Sequence, residues 1–142
     1  MANSTNLTVR DIMTPDPASC PADATFADAA RLMQQRDIGN VLVERDGELL
    51  GLVTDRDIVV RGLAAGKDAN STLESVCSSE LVTIPADASV QEAVETMRSM
   101  AIRRLPVVER GRPVGIVSLG DLAMELDSRS ALADISASEP DA

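Results

Sequence analysis

Two short segments place a hydroxyl and a carboxylate three residues apart, directly behind an apolar run. They are Gly51-Leu52-Val53-Thr54-Asp55-Arg56-Asp57 and Gly115-Ile116-Val117-Ser118-Leu119-Gly120-Asp121. A helix that starts where such a run ends leaves unpaired backbone N–H groups at its tip. Its dipole favours an anion there. A carboxylate fixed one turn inside could accept two hydrogen bonds from a vicinal diol. The adjacent Arg103 and Arg104 could give planar, bidentate grips on phosphate. The same spacing is also that of an ordinary capping box. Thr25-x-x-Asp28 and Ser89-x-x-Glu92 have it too, with nothing to suggest a ligand. Arginines ahead of a buried strand can equally be solvated charges balancing an acidic chain. Spacing alone leaves both readings open.

The rest of the composition narrows the chemistry. The chain of 142 residues contains no His, Trp or Tyr, and Phe26 is its one aromatic residue. Without His it lacks the side chain that most often moves protons near neutral pH and most often binds metals. No nucleophile–base pair is visible, so no catalytic residue and no metal ligand is assigned. The net charge of −10 disfavours a phosphate backbone as partner, and stacking platforms for single strands are missing. Cys20 and Cys77 have neither disulfide-framework nor metal-ligand spacing and read as small apolar residues. No apolar run approaches the ~20 residues of a membrane span, and the first residues show no secretory signal. The expectation is a cytoplasmic protein with no nucleic-acid or membrane partner.

The elements that position these residues come in two copies. Residues 20–61 align without a gap on 84–125, sixty-four positions on. Met33 meets Met97, Ile38 meets Ile102, Gly47 meets Gly111 and Asp57 meets Asp121. In each copy a short extended segment (Ala18-Ser19-Cys20; Leu81-Val82-Thr83-Ile84) leads into an amphipathic helix. Phe26, Ala29, Ala30 and Met33, and then Val90, Ala93, Val94 and Met97, fall at the i, i+3, i+4, i+7 spacing of such a helix. Two apolar strands follow, turning at Asp46-Gly47 and at Arg110-Gly111. Being nearly all apolar, they should be buried on both faces. A second helix starts at Thr54 or Ser118, the first of these ending near Gly66. The expected fold class is α+β, two β-α-β-β-α repeats packed about a pseudo-two-fold axis. The divisions read as a lead 1–8, a first unit 9–65, a linker 66–72, a second unit 73–126 and an acidic tail 127–142 expected to fray.

Val9-Arg10-Asp11-Ile12-Met13-Thr14, the Ile38–Val43 and Ile102–Val108 segments, the two signature segments and the duplication together resemble the cystathionine-β-synthase (CBS) domain. The tandem resembles the Bateman module formed by two of them. The stretch Leu52–Gly66 is similar to small stand-alone bacterial CBS pairs, actinobacterial hypoxic-response proteins among them.

The resemblance implies a regulatory module without an enzymatic activity or a required cofactor. An adenine nucleotide (AMP, ADP, ATP) or S-adenosylmethionine would bind in the cleft between the domains. Thr54 and Asp57 would serve one site, Ser118 and Asp121 the other, each Asp on the ribose hydroxyls. Arg103 and Arg104 match basic phosphate contacts of the γ subunit of AMP-activated kinase. The first strand, with Val82 and Thr83, would pack on the base. Ile38 and Asn40 in one copy and Ile102 in the other complete the candidate set. The first copy has Gly39 and Asn40 where the second has the arginine pair, so the site of Ser118 and Asp121 is the stronger phosphate site. With no effector domain in the sequence, output would pass to an effector protein in trans. The alternative is a dimerisation or docking module whose clefts are vestigial. A homodimer is expected in either case, because the apolar faces of the two amphipathic helices cannot all be buried within one chain.

Overall fold

The computed structural model describes residues 7–77 and 81–127. In chain order these form α1 (Val9–Ile12), β1 (Thr14–Pro15), β2 (Ser19–Pro21), α2 (Phe26–Arg36), β3 (Asn40–Arg45) and β4 (Glu48–Thr54). A helical segment over 55–65 follows, containing a π-helix (Asp57–Gly62) and a 3-10 turn (Leu63–Ala65). Then come a second 3-10 turn (Leu73–Ser75), β5 (Ile84–Pro85), α3 (Val90–Met100), β6 (Arg104–Glu109) and β7 (Arg112–Ser118), and α4 over 119–127. The expected tail, but for residue 127, and most of the N-terminal lead lie outside the described residues. No helix among the described residues is long and apolar enough to cross a membrane.

These elements make two compact units, interleaved along the chain. One takes its residues from 16–82 and 110–113, the other from 1–15, 83–109 and 114–142. The first unit holds a three-stranded sheet, β2-β3-β4. β2 runs parallel to β3 with Ser19 opposite Leu42, and β3 runs antiparallel to β4 with Asn40 opposite Thr54. α2 lays Phe26, Ala29 and Met33 against Val41, Val43 and Val53, and Leu73 and Val76 join the same core. Burying each large apolar side chain is worth about 1.5–3 kcal/mol. The helix starts at a reciprocal cap: the Asp28 N–H donates to Thr25 Oγ1 at 3.1 Å, and the Thr25 N–H to Asp28 Oδ2 at 3.0 Å. Those hydrogen bonds, with Arg31 adding to them, hold the Asp28 carboxyl below its ordinary pKa.

The expected linker is not loose. The carbonyls of Ser71 and Ala69 accept from the Phe26 and Ala27 N–H groups at 2.9 and 3.1 Å, satisfying donors that a helix start leaves open. Leu73 N–H then bonds the Ala24 carbonyl, and Glu74 N–H the Ala22 carbonyl.

The second unit repeats this design on the sheet β1-β7-β6-β5. Here the N-terminal segment does the work of 71–77. Leu7 carbonyl accepts from Val90 N–H, Val9 N–H bonds Ala88 carbonyl, and Arg10 N–H bonds Ala86 carbonyl. The sixty-four-residue register therefore extends back to residue 7, beyond what side-chain identity reveals. One ion pair is conserved in place but reversed in sign. Arg45 meets Glu74 in the first unit, and Arg10 meets Glu109 in the second.

Three expectations are corrected. The apolar faces of α2 and α3 are largely covered within the chain: Phe26, Ala29, Met33, Val90, Ala93 and Met97 are buried, Val94 is half-buried and Ala30 is exposed. Most of the large apolar side chains left exposed belong to the following helices, Val59, Val60 and Leu63 in one unit and Leu119, Met124 and Leu126 in the other; Met100 at the end of α3 and Leu81 ahead of β5 are exposed too. Second, β4 is only half-buried, with Leu49, Leu50 and Leu52 intermediate, because it is an edge of its sheet. Third, Val82 and Thr83 precede the strand rather than lying in it. In the first unit Leu42 N–H donates to the Ala18 carbonyl at 2.8 Å. The matching residue is Pro106, which has no N–H to give, so β5 keeps only Ile84 and Pro85.

The two helices after the sheets also differ. Leu63 N–H reaches the Ile58 carbonyl, the i→i+5 bond of a π-helix. Gly62 sits against Phe26, and a Cβ on it would lie 2.8 Å from Phe26 Cζ. The second copy has Val90 and Leu126 at these positions, exchanging large and small.

Candidate functional site

Each signature hydroxyl ends a strand, and each signature carboxylate lies in the first turn of the helix behind it. In the first unit Thr54 N–H donates to Asp57 Oδ2 at 2.9 Å, and Asp57 N–H to Thr54 Oγ1 at 3.0 Å. In the second, Ser118 N–H donates to Asp121 Oδ2 at 3.0 Å, and Asp121 N–H to Ser118 Oγ at 3.0 Å. Both signatures are thus complete capping boxes. All four residues are half-buried. In each, one carboxylate oxygen, Oδ2, is committed to the backbone, which fixes the group. Glu92 does less: it donates its N–H to Ser89 Oγ at 3.0 Å.

The loop ahead of β3 or β6 is drawn to the same place. Asp55 N–H donates to the Gly39 carbonyl at 2.9 Å, and Leu119 N–H to the Arg103 carbonyl at 2.8 Å. Ile38, Asn40, Thr54 and Asp57 therefore gather at one end of the first sheet. Ile102, Arg103, Arg104, Ser118 and Asp121 gather at the matching end of the second. Arg103 is exposed and Arg104 half-buried. Val82 and Thr83 stand just ahead of β5. Pro106 leaves the Val82 carbonyl without the ladder donor that its counterpart Ala18 has.

The sequence reading missed two features here. A Cβ on Gly39 would lie 3.2 Å from Asp55 Oδ2, so a carboxylate occupies the space where the second copy starts the Arg103 side chain. And Arg61 Nη1 lies 3.7 Å from Asp57 Oδ1, where the second copy has Glu125. Reading the two copies against each other pair by pair, rather than position by position, would have flagged both. Burial raises the pKa of both thiols. Asp57 raises that of Cys77 further and Arg61 opposes it, so Cys77 is a neighbour of this pair.

With this geometry in view, the comparisons are direct. The CBS domain model matches twice, at residues 9–63 and 73–128.

The chain belongs to the CBS-domain family.

It is 41% identical over 132 residues to the CBS domain-containing protein YhcV of Bacillus subtilis, covering 90% of this chain and 94% of that one. The solved structure of Hypoxic Response Protein I with two coordinated zinc ions aligns with TM-score 0.74 at 38% identity, over 83% of this chain and 98% of that one. The CBS domain pair of protein MJ0100, in complex with 5'-methylthioadenosine and S-adenosyl-L-methionine, aligns with TM-score 0.77 at 25% identity, over 87% and 98%. Zinc finds no matching ligand set among the described residues. The chain has no His, and among the described residues no group of three or more Cys, Asp and Glu side chains could hold an ion.

Proposed function

We propose that this CBS pair is a cytoplasmic regulatory module that binds an adenine nucleotide, AMP, ADP, ATP or S-adenosylmethionine, and signals to an effector protein in trans. The observation that carries it is the pair of strand-to-helix capping boxes, each holding a half-buried carboxylate fixed to the backbone through one oxygen. A carboxylate so fixed accepts hydrogen bonds from ribose hydroxyls without first losing its own freedom. The MJ0100 pair, with adenosyl ligands bound, supports that ligand class. Arg103 and Arg104 favour a phosphate at the second site. The uncommitted Val82 carbonyl beside Pro106 gives that site an acceptor for the amino group of adenine.

The reading is tested by a thermal-shift screen with AMP, ADP, ATP, adenosine and S-adenosylmethionine, using an extrinsic dye because the chain has no Trp or Tyr. A true ligand at a hundred times its dissociation constant adds about 2.7 kcal/mol of stability. No shift with any of the five overturns the reading. Arg104→Ala is expected to weaken AMP about ten- to a hundredfold, the worth of a charged hydrogen bond, and adenosine far less. Equal losses would assign the arginine to pocket shape.

We also propose a homodimer, joined through the helices that follow the sheets rather than through α2 and α3. Val59, Val60 and Leu63 are exposed on the helical segment of one unit, and Leu119 and Met124 on that of the other, apolar surface of the kind that marks an interaction site. Sedimentation of the wild type at micromolar concentration should give a dimer, and the Val60→Glu, Met124→Glu double variant a monomer. A monomeric wild type overturns this proposal.

A further inference from the structure

We propose that Arg61 is the phosphate-selecting residue of the first site, so that this site takes nucleotides and disfavours adenosyl compounds without a phosphate. The inference rests on the nucleotide-binding reading above. It starts from a pair of oxygens. Asp57 Oδ2 is held by the Thr54 N–H at 2.9 Å, and Oδ1 faces Arg61 Nη1 at 3.7 Å. Any diol that approaches Oδ1 therefore meets the guanidinium too. A ligand that brings its own anion offers Arg61 a new partner; adenosine offers none and competes with Arg61 for the carboxylate.

The surroundings make Arg61 the cation best placed for this. The first copy has Gly39 and Asn40 where the second has Arg103 and Arg104, and the Asp55 side chain fills the space beside Gly39. Arg56 is exposed between two carboxylates, its own N–H bonded to Asp55 Oδ1 at 2.7 Å. Arg61 is the alternative: its side chain is 53% exposed and free to swing, while Asp57 is only 24% exposed. The π turn keeps residue 61 just short of one i→i+5 step from residue 57, on the same side of the helix. In the second copy the position holds Glu125, which cannot grip a phosphate. The two sites thus carry their cations on opposite sides of the signature carboxylate, on the helix in one and ahead of the strand in the other.

The test isolates the first site in an Asp121→Ala background and titrates AMP, adenosine and S-adenosylmethionine by calorimetry, with thermal melts to confirm folding. AMP is expected to bind at least tenfold tighter than the other two. Adding Arg61→Ala should weaken AMP about tenfold and leave adenosine within about twofold; Arg61→Lys should restore most of the AMP affinity. Unchanged AMP affinity in Arg61→Ala, or equal losses for AMP and adenosine, overturns the inference alone. So does an Asp121→Ala protein that binds no AMP although the wild type does. A wild type that binds none of the three overturns the nucleotide reading with it.

Discussion

Asp121→Ala should bind AMP at least tenfold more weakly than the wild type at the second site, while Asp28→Ala binds it almost normally. The contrast is informative because the two carboxylates are alike locally. Asp28 and Asp121 each accept from the N–H of a capping residue at 3.0 Å and each donate the N–H to its hydroxyl. A carboxylate near a helix N-terminus is worth about 0.3–1 kcal/mol to stability, so the two variants should lose similar, small amounts. Only Asp121 follows directly behind a strand, on the sheet end that also carries a pair of arginines. Asp57→Ala reports on the first site in the same way. Glu92→Ala is the mildest control, since its N–H bond to Ser89 survives the change. Calorimetry at matched folded fractions is the measurement. Equal affinity in all four variants, at a measurable wild-type affinity, would make the signature carboxylates caps and nothing more.

Phe26→Ala should destabilise the protein by about 3–5 kcal/mol, the usual cost of deleting a buried aromatic ring. Gly62→Leu should be at least as severe, because even a Cβ there meets the Phe26 ring and overpacking alone costs about 1–3 kcal/mol. Together as Phe26→Val, Gly62→Leu they should be far less harmful than the sum of the single changes. That double variant installs the residue types that stand at the matching positions of the second copy, Val90, which is buried, and Leu126, which is exposed. Denaturant unfolding of Phe26→Val, Gly62→Leu and the double variant measures the coupling, expected at about 0.5–3 kcal/mol. Additive losses would mean that Gly62 is required by the π turn itself and not by the ring.

That pair also shows where sequence reading stopped. The strands, the turns at Asp46-Gly47 and Arg110-Gly111, the Thr25 and Ser89 caps and the Gly66 terminus were legible, because each depends on residues within a few positions of one another. The π turn was not, since the ring that Gly62 packs against lies thirty-six residues upstream. An apolar stripe on α2 or α3 says that something covers it, not what; the cover is the chain's own sheet. Pro106 announces a missing donor, yet the strand it shortens lies two dozen residues earlier. Of the candidate residues, the signature pair of each copy and the loop before β3 or β6 lie together at one end of their sheet. Arg61 was not singled out, because one arginine on a helix carries no signal until its neighbour is known.

The sign-reversed ion pairs have a consequence for how the chain is threaded. Residues 7–13 leave the ribosome long before the sheet they complete, and they share their backbone pattern with 71–77. The first sheet to be synthesised, β2-β3-β4, presents a slot that either segment could enter. Arg45 guards that slot: it accepts Glu74 and would oppose Arg10. Glu109 guards the other in the opposite sense. Each pair is exposed and modest as a stabilising contact, but as a discriminator it counts twice, once for the attraction kept and once for the repulsion avoided. The early segment is thereby held in reserve for its own sheet, and a nascent chain with two interchangeable-looking plugs commits each to one socket. Charge here acts as an address rather than as glue.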